Sequence, residues 1–413
     1  MPLPGTTVRE FPVALMNILS LSCVYPNPAE PTKGTFVRAR LASLGVKAPL
    51  RIIAPVAVVE YGDFGTRKSL GQVQHLTPDG PTLVLHPHWL YPPMGGVINS
   101  GFLFLRLLPL VRSLRREFPF DVIDSHFAYP DGIAAAMLAQ VFGCPYVITL
   151  RGNETMHSKF RWRGRAIRWA IRRASRIITV SERLREFAIE CGARPQNVCT
   201  IPNGVDTAVF HPRGTSAVRA GLGLGSDTPL VLSAGYLIER KGHHRVMHAL
   251  RQLRDSGVPP HLVIAGGPGA EGRYEPVLRA LTDELSLTDR VHFTGPVSQQ
   301  RMAELMSAAN VVCLASAREG WPNVVNEALA CGSPVVATDV GGVPDMLPSD
   351  RYGIVVPVDD AGALGHALER SLALRWDREA IAAWGMSRSW EHVAGEVLNV
   401  LSEAVNEKKS IQL

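Results

Sequence analysis

Short apolar runs alternate with longer amphipathic stretches along almost the whole chain. VALMNILSLSC (13–23), RIIAPVAVVE (51–60), FDVIDSH (120–126), PYVITLRGNE (145–154) and IITV (177–180) read as buried strands, and VCTIPNGVD (198–206) as a strand ending in a Pro-Asn-Gly turn. FVRARLASL (36–44), the apolar GFLFLRLLPLVRSLRREF (101–118) and IAAAMLAQVFG (133–143) read as the intervening helices. The alternation resumes with LVLSAG (230–235), a helix from about His243, HLVIAGG (261–267), VHFTG (291–295), the helix QQRMAELMSAAN (299–310), VVCLAS (311–316) and VVAT (335–338). Helices are expected over 361–374 and 378–406, with Trp384 and Trp390 as packing anchors. Strand–helix alternation of this kind predicts parallel sheets with helices on both faces. The Gly/Pro-rich FHPRGTSAVRAGLGLGSDTP (210–229) interrupts it once and marks a domain boundary near 206–228.

A chain of 413 residues is too long for one ordinary core, and 46% hydrophobic with 19% charged residues is a globular composition. The division expected is an extension at 1–16, a first domain at 17–205, a second at 206–385, and a terminal helix at 386–413 that packs back toward the first domain. The six cysteines are scattered without a CxxC pair, which fits reduced thiols in a cytosolic chain and no structural zinc. No run of 18 uncharged apolar residues predicts a spanning helix. Residues 13–23 make a poor signal peptide, because Glu10 adjoins Arg9, Asn17 interrupts the run and no A-x-A site follows; a first buried strand is the better reading.

Charge changes this picture. Residues 1–205 carry 24 Lys and Arg against 13 Asp and Glu, whereas the remainder carries 19 against 24. The excess concentrates in KFRWRGRAIRWAIRRASR (159–176), with eight basic residues, no acid, and Trp162, Trp169, Ile167 and Ile171 interleaved. Such a helix fits an anionic membrane surface, with Arg161, Trp162, Arg165, Arg168, Arg172 and Arg173 facing it. A solvated helix packed by its apolar side, or a nucleic-acid surface, has the same composition; no nucleic-acid motif occurs elsewhere in the chain.

Candidate chemistry clusters at strand carboxyl ends, where ligands of open α/β sheets sit. His126 and Arg151 end two strands of the first half, and Gly34 stands in the loop before a helix. In the second half Arg240 and Lys241 follow Gly235 on the loop before a helix, a natural site for a diphosphate. Gly267-x-Gly269-x-x-Gly272 matches a dinucleotide fingerprint, but no acid ends a following strand, so a tight turn is the better reading. His86-Pro87-His88 offers two metal-type ligands without an evident third. The densest stretch is SAREGWPNVVNEALACGSPVVATDVGG (316–342). Glu319 sits on a Gly-Trp-Pro turn, Pro322 and Asn323 open a helix, and Glu327 lies one turn in, on the face of Asn323. Helix-start N–H groups suit a phosphate and the following acid a ribose, although two acids on an ordinary helix–strand unit give the same pattern.

EGWPNVVNE (319–327), the loop Gly235-x5-Lys241-Gly242, IPNGVD (201–206) and ATDVGG (337–342), taken in order, resemble the retaining glycosyltransferases of family 4, which have the GT-B fold of two Rossmann-like doubly wound domains facing across a cleft. YPNPAEPTKGTFV, DSHFAYPDG and TLRGNE resemble the branch that builds bacterial cell-surface polysaccharides, including teichuronic-acid-type enzymes. The resemblance covers roughly residues 17–400. It implies a metal-independent transferase that takes a sugar from a nucleotide donor, UDP- or GDP-linked, and passes it with retention to a saccharide or polyprenyl-linked acceptor. No cofactor or nucleic acid is implied. The enzyme would sit at the cytoplasmic face of the plasma membrane, with the first domain binding acceptor and the second binding donor. Glu319 would contact the donor sugar or its phosphate, Glu327 the ribose, and Lys241 the diphosphate. The Asn323 and Val324 N–H groups and Gly34 would lie near the donor, and His126 by the transferred sugar. Many members carry Arg directly after the glycine at 235; here Tyr236 stands there, and Arg240 is expected to supply part of the charge. A nucleotide-sugar epimerase and a non-catalytic nucleotide-sugar-binding protein are the alternatives on the same fold.

Overall fold

The computed structural model describes residues 16–57, 82–92, 95–255, 260–269, 272 and 274–412. Two parallel sheets carry the molecule. The first has seven strands: β1 Ile18–Leu21, β2 Leu50–Ile53, β3 Leu83–Leu85, β4 Val122–His126, β5 Tyr146–Leu150, β6 Arg176–Thr179 and β7 Val198–Thr200, in the order β3-β2-β1-β4-β5-β6-β7. The second has six: β8 Leu230–Ala234, β9 His261–Ala265, β10 Val291–Gly295, β11 Val311–Leu314, β12 Val335–Thr338 and β13 Gly353–Val356, in the order β10-β9-β8-β11-β12-β13. Both begin from a central strand and reverse direction beside it, between β1 and β4 and between β8 and β11. That reversal opens a crevice at the strands' carboxyl ends. Every residue of β1, β4, β5, β8, β11 and β12 is buried, as expected of parallel strands covered by helices on both faces.

The central strands of the first sheet are not uniformly apolar. Ser20, Asp124, Ser125, His126 and Thr149 are buried in β1, β4 and β5, and Arg40 reaches them from the helix Thr35–Lys47. Buried polar groups of this density are costly unless they pair with one another.

Two expected elements are divided. The run 51–60 forms two short strands, because Pro55 cannot donate to a ladder. Leu50–Ile53 joins the main sheet, and Val56–Ala57 pairs with His88–Trp89 in a separate two-stranded ribbon. Residues 58–60, like the stretch 1–15, lie outside the described residues. The helix expected over 378–406 breaks into Arg378–Met386 and Trp390–Gln412. At the break the chain crosses between domains: Val205 N–H donates to Arg388 O, and Val205 and Ser389 form an isolated parallel bridge. The terminal helix then packs Val393, Val397 and Leu401 against Val37, Leu41 and Leu44 of the first domain. No helix among the described residues is long and apolar enough to cross a membrane.

Candidate functional site

In the second domain, Lys241 ends the short 3-10 turn Glu239–Lys241 that follows β8. Gly242 comes next at φ +73°, where a Cβ would lie 1.9 Å from Ala315 O; only glycine lets this loop press against the end of β11. The contact delivers Lys241 Nζ to 2.7 Å from Glu319 Oε1, which also accepts from Ser316 Oγ at 2.8 Å. Arg240 Nη1 lies 3.8 Å from Glu319 Oε2 and donates to Arg318 O. Glu327, on the helix Asn323–Ala330, is half-buried, and desolvation pushes its carboxyl up to about 7 against the opposing charge of Lys241. Lys241 thus pairs with Glu319 and acts electrostatically on Glu327. The Asn323 and Val324 N–H groups stand in the first turn of the helix, where no preceding turn can accept from them.

In the first domain, His126 ends β4 and is fully buried. Its Nδ1 lies 3.0 Å from Arg151 Nη2, and its Nε2 lies 3.2 Å from Asp124 Oδ2. Arginine has only donors, so Nδ1 is the acceptor and the imidazole proton resides on Nε2, facing the carboxylate. Burial brings the His126 pKa down to about 4 despite Asp124, so the ring is neutral at physiological pH. Burial alone would raise Asp124; His126, Arg40 and Arg151 outweigh it and hold the carboxyl below its usual range. Arg40 donates to Thr149 Oγ1 at 2.9 Å and lies 3.5 Å from Asp124 Oδ1. Glu154 is buried as well and accepts from the N–H groups of Ala128, Arg151 and Gly152 at 3.1, 3.2 and 2.7 Å. The charges of Asp124 and Glu154 oppose the burial that lowers the Arg151 pKa, and Asp124 does the same for Arg40.

The facing walls of the two domains meet. Gly152 and Gly320 touch backbone to backbone: a Cβ on Gly320 would lie 1.9 Å from Arg151 O. Asn203 accepts from Arg151 Nη1 at 2.9 Å through Oδ1, and its Nδ2 donates to Asn323 Oδ1 at 2.9 Å. Nearby, Arg183 pairs with Asp339 at 2.6 Å, and Asp345 Oδ2 accepts the Glu182 N–H at 3.0 Å. Asp345 thus supplies the side-chain acceptor at the start of the helix Glu182–Glu190, where Ser181 makes no side-chain cap bond.

The structure brings His126, Arg151, Asn323, Glu319, Lys241 and Arg240 to facing edges of the two sheets. Gly34 caps the helix Thr35–Lys47 at the same edge of the first sheet, and Gly235 follows β8 beside the Lys241 stem. Tyr236 is 46% exposed, and its ring leaves the anion-facing cations to Arg240 and Lys241. In the glycine-rich loop, Pro268 bridges to Leu237 and Gly269 to Gly272. His86 Nδ1 is engaged by Ala54 O at 3.0 Å, and no group of three metal-ligating side chains occurs among the described residues. Asn203, Asp124 and Arg40 carry roles that the sequence reading does not assign. IPNGVD contains Asn203, but the motif alone does not say what its amide touches.

Residues 66–209 match the model of Glycosyltransferase Family 4, and residues 215–385 match that of Glycosyl transferases group 1. A putative teichuronic acid biosynthesis glycosyltransferase, TuaC of Bacillus subtilis, is 31% identical over 367 residues, covering 86% of this chain and 89% of that protein. The D-inositol 3-phosphate glycosyltransferase of Acidothermus cellulolyticus is 31% identical over 317 residues, covering 70% and 69%. Among solved structures, sucrose-phosphate synthase from Thermosynechococcus elongatus superposes with a TM-score of 0.70 at 21% identity, covering 96% of this chain and 98% of that one. Anabaena HepE in complex with UDP gives 0.67 at 21%, covering 96% and 100%.

Proposed function

Because the chain belongs to the GT-B glycosyltransferases that join a family 4 half to a group 1 half, we propose that it transfers a sugar, with retention, from a nucleoside-diphosphate donor to a saccharide or lipid-linked saccharide of the cell surface. The observation that carries this reading is the pairing of Lys241 with Glu319, and its electrostatic action on Glu327, at the start of the helix Asn323–Ala330. In it, the second domain holds the donor and the first the acceptor, with the division falling near 206 and the chain returning near 386. Departure of the nucleoside diphosphate concentrates negative charge on phosphate oxygens. Lys241, Arg240 and the Asn323 and Val324 N–H groups offset that charge, which supplies the catalysis without a metal. Glu327 receives the ribose hydroxyls. Glu319 orients the sugar or its phosphate, and neutral His126, held by Arg151, stands toward the transferred sugar. Retention follows when the acceptor hydroxyl attacks from the face that the leaving group vacates.

UDP and UDP-glucose occupy solved complexes of HepE, and TuaC is named for teichuronic acid synthesis; these favour a uridine donor and a cell-surface polymer as the first combination to assay. The basic helix Arg161–Arg173 supports an acceptor presented at an anionic membrane surface. A radiolabel transfer assay over a panel of UDP- and GDP-sugars tests the reading. Transfer by the wild type and its loss in Glu319→Ala and Lys241→Ala is the expected result. No transfer from any donor, or full activity in both variants, overturns it.

A further inference from the structure

Asn203 lies where three parts of the molecule converge. It follows β7 in the first domain and precedes the crossing to the second by two residues. Gly204, next to it, has no room for a side chain: a Cβ there would lie 2.7 Å from Trp390 N, at the start of the terminal helix. Its Oδ1 accepts from Arg151 Nη1, its Nδ2 donates to Asn323 Oδ1, and its backbone carbonyl accepts from Asn326 Nδ2 at 3.1 Å. Both asparagine partners belong to the first turns of the helix Asn323–Ala330. Arg151 continues the chain to His126 Nδ1 with its other terminal nitrogen. The sense of each bond is fixed by Arg151, which can only donate, so the amide of Asn203 has one orientation that satisfies both neighbours.

We propose that Asn203 is a positioning residue that couples the start of the donor helix to the orientation of His126 in the opposite domain. The coupling rests on the donor-site reading above, with the diphosphate held at Asn323 and Val324. A guanidinium is a rigid fork. Its Nη1 is set by Asn203 and its Nη2 holds the imidazole, so displacing the Asn203 amide turns the fork and moves the ring. An anion seated at the helix start fixes Asn323, Asn323 fixes Asn203, and His126 is thereby placed when the donor is bound. Because Asn203 adjoins the crossing between domains, it stays in contact with both walls through small rotations about that crossing. A residue that merely filled the interface would contribute to stability but not to the response of His126 to nucleotide.

The test compares wild type with Asn203→Ala and Asn203→Asp. Steady-state kinetics use the nucleotide sugar that the wild type turns over, and NMR of 15N-labelled histidine follows titration with UDP and GDP. Asn203→Ala is expected to lower kcat roughly 10- to 100-fold, the order of loss that a misplacement of about 1 Å produces, with the donor KM within about threefold. In this variant the His126 ring signal should no longer respond to the nucleotide that binds. Asn203→Asp should stay within about threefold of wild type: its carboxylate still accepts from Arg151, and the Asn323 amide can turn its Nδ2 toward it. Asn323→Ala, which cuts the same link from the other side, should likewise uncouple the ring signal, so a misfolded Asn203→Ala does not remove the test. An unchanged kcat in Asn203→Ala, a loss confined to KM, or a ring response that persists in Asn203→Ala or Asn323→Ala overturns the coupling. If the wild type neither turns over nor binds any nucleotide, the donor-site reading itself fails. If the wild type is active and the variants match it, only the coupling fails.

Discussion

Lys241 Nζ stands 2.7 Å from Glu319 Oε1, so the cation that would meet the donor phosphates is paired with the acid that would meet the donor sugar. An incoming diphosphate has to compete with that carboxylate. Glu319→Gln removes the competition while keeping the shape. It should bind UDP or GDP as tightly as wild type or a few-fold tighter, whereas kcat for transfer should fall on the order of 100-fold, the scale seen when one preorganised polar partner of a transition state is removed. Lys241→Ala should lose both affinity and turnover. Isothermal titration with the nucleoside diphosphate, alongside the transfer assay, checks this; weaker diphosphate binding in Glu319→Gln would count against the competition.

Glu327 supplies a pH dependence with a definite sign. Its folded pKa is raised to about 7, so folding favours its protonated form. The associated stability is fully present below the ordinary value of 4.5 and is lost as pH rises through about 7. Glu327→Gln should therefore match wild type in Tm near pH 5 and exceed it near pH 8. With its partial exposure the gain is roughly 1–2 kcal/mol, or about 2–6 °C for a domain of this size. If ribose hydroxyls donate to the ionised acid as proposed, kcat/KM for the donor should rise with pH through about 7 in wild type and lose that limb in Glu327→Gln. His126, with its pKa brought down to about 4, should add no limb near 6.5. Thermal melts and pH–rate profiles measure both signs.

Gly320 tests whether the contact between the walls is needed for turnover. A Cβ at this position would lie 1.9 Å from Arg151 O, a backbone atom that cannot swing aside, so Gly320→Ala must hold the two edges apart. On the donor site proposed in the second domain, nucleotide affinity should change less than about threefold. Transfer requires groups from both domains, and kcat should fall by about 100-fold for a displacement near 1 Å. Kinetics and nucleotide titration on one preparation separate these effects; a variant that keeps wild-type kcat would show that the walls need not meet this closely.

Much of the fold was legible because its signals are local. Apolar runs such as LVLSAG and VVAT read correctly as covered strands, whereas the Gly/Pro-rich stretch from Phe210 packs Phe210, Val218 and Leu224 into the second core. Pro55 and Ser389 mark where local reading failed: one splits a strand by lacking a donor, and the other breaks a helix because the chain must cross between domains. At the site, Glu319, Lys241 and Glu327 could be chosen from the family resemblance of their motifs, because spacing alone left them open. The partners of His126 could not. Asp124 lies two residues before it and looks like any buried strand polar, Arg40 comes from a helix 84 positions before Asp124, and Asn203 reaches across the interface to Asn323, 120 positions later. Such pairings are set by tertiary register, which no window of sequence contains.

The basic helix Arg161–Arg173 buries Ile167, Ala170 and Ile171 in the first core and turns Arg161, Trp162, Arg165, Arg172 and Arg173 outward. Trp162 is 63% exposed with Arg161 and Arg165 stacked over its ring, and neighbouring Phe160 is 57% exposed. Arg168 is half-buried, and Arg176 pairs with Glu403 and Glu407 of the terminal helix, so neither belongs fully to the outward set. Exposed aromatics flanked by cations suit an anionic lipid surface, where each arginine contributes roughly 1 kcal/mol at low salt. Replacing Arg161, Arg165, Arg172 and Arg173 with Ala should weaken partition onto phosphatidylglycerol vesicles by about 10³-fold, and 0.5 M salt (about a 4 Å screening length) should do much the same to wild type. Trp162→Ala should weaken binding further without altering its salt dependence, whereas Arg176→Ala should leave vesicle binding unchanged. Flotation on anionic and zwitterionic vesicles measures all four. Wild-type protein that ignores vesicle charge, or a quadruple variant that floats like wild type, would reduce this face to a solvated helix.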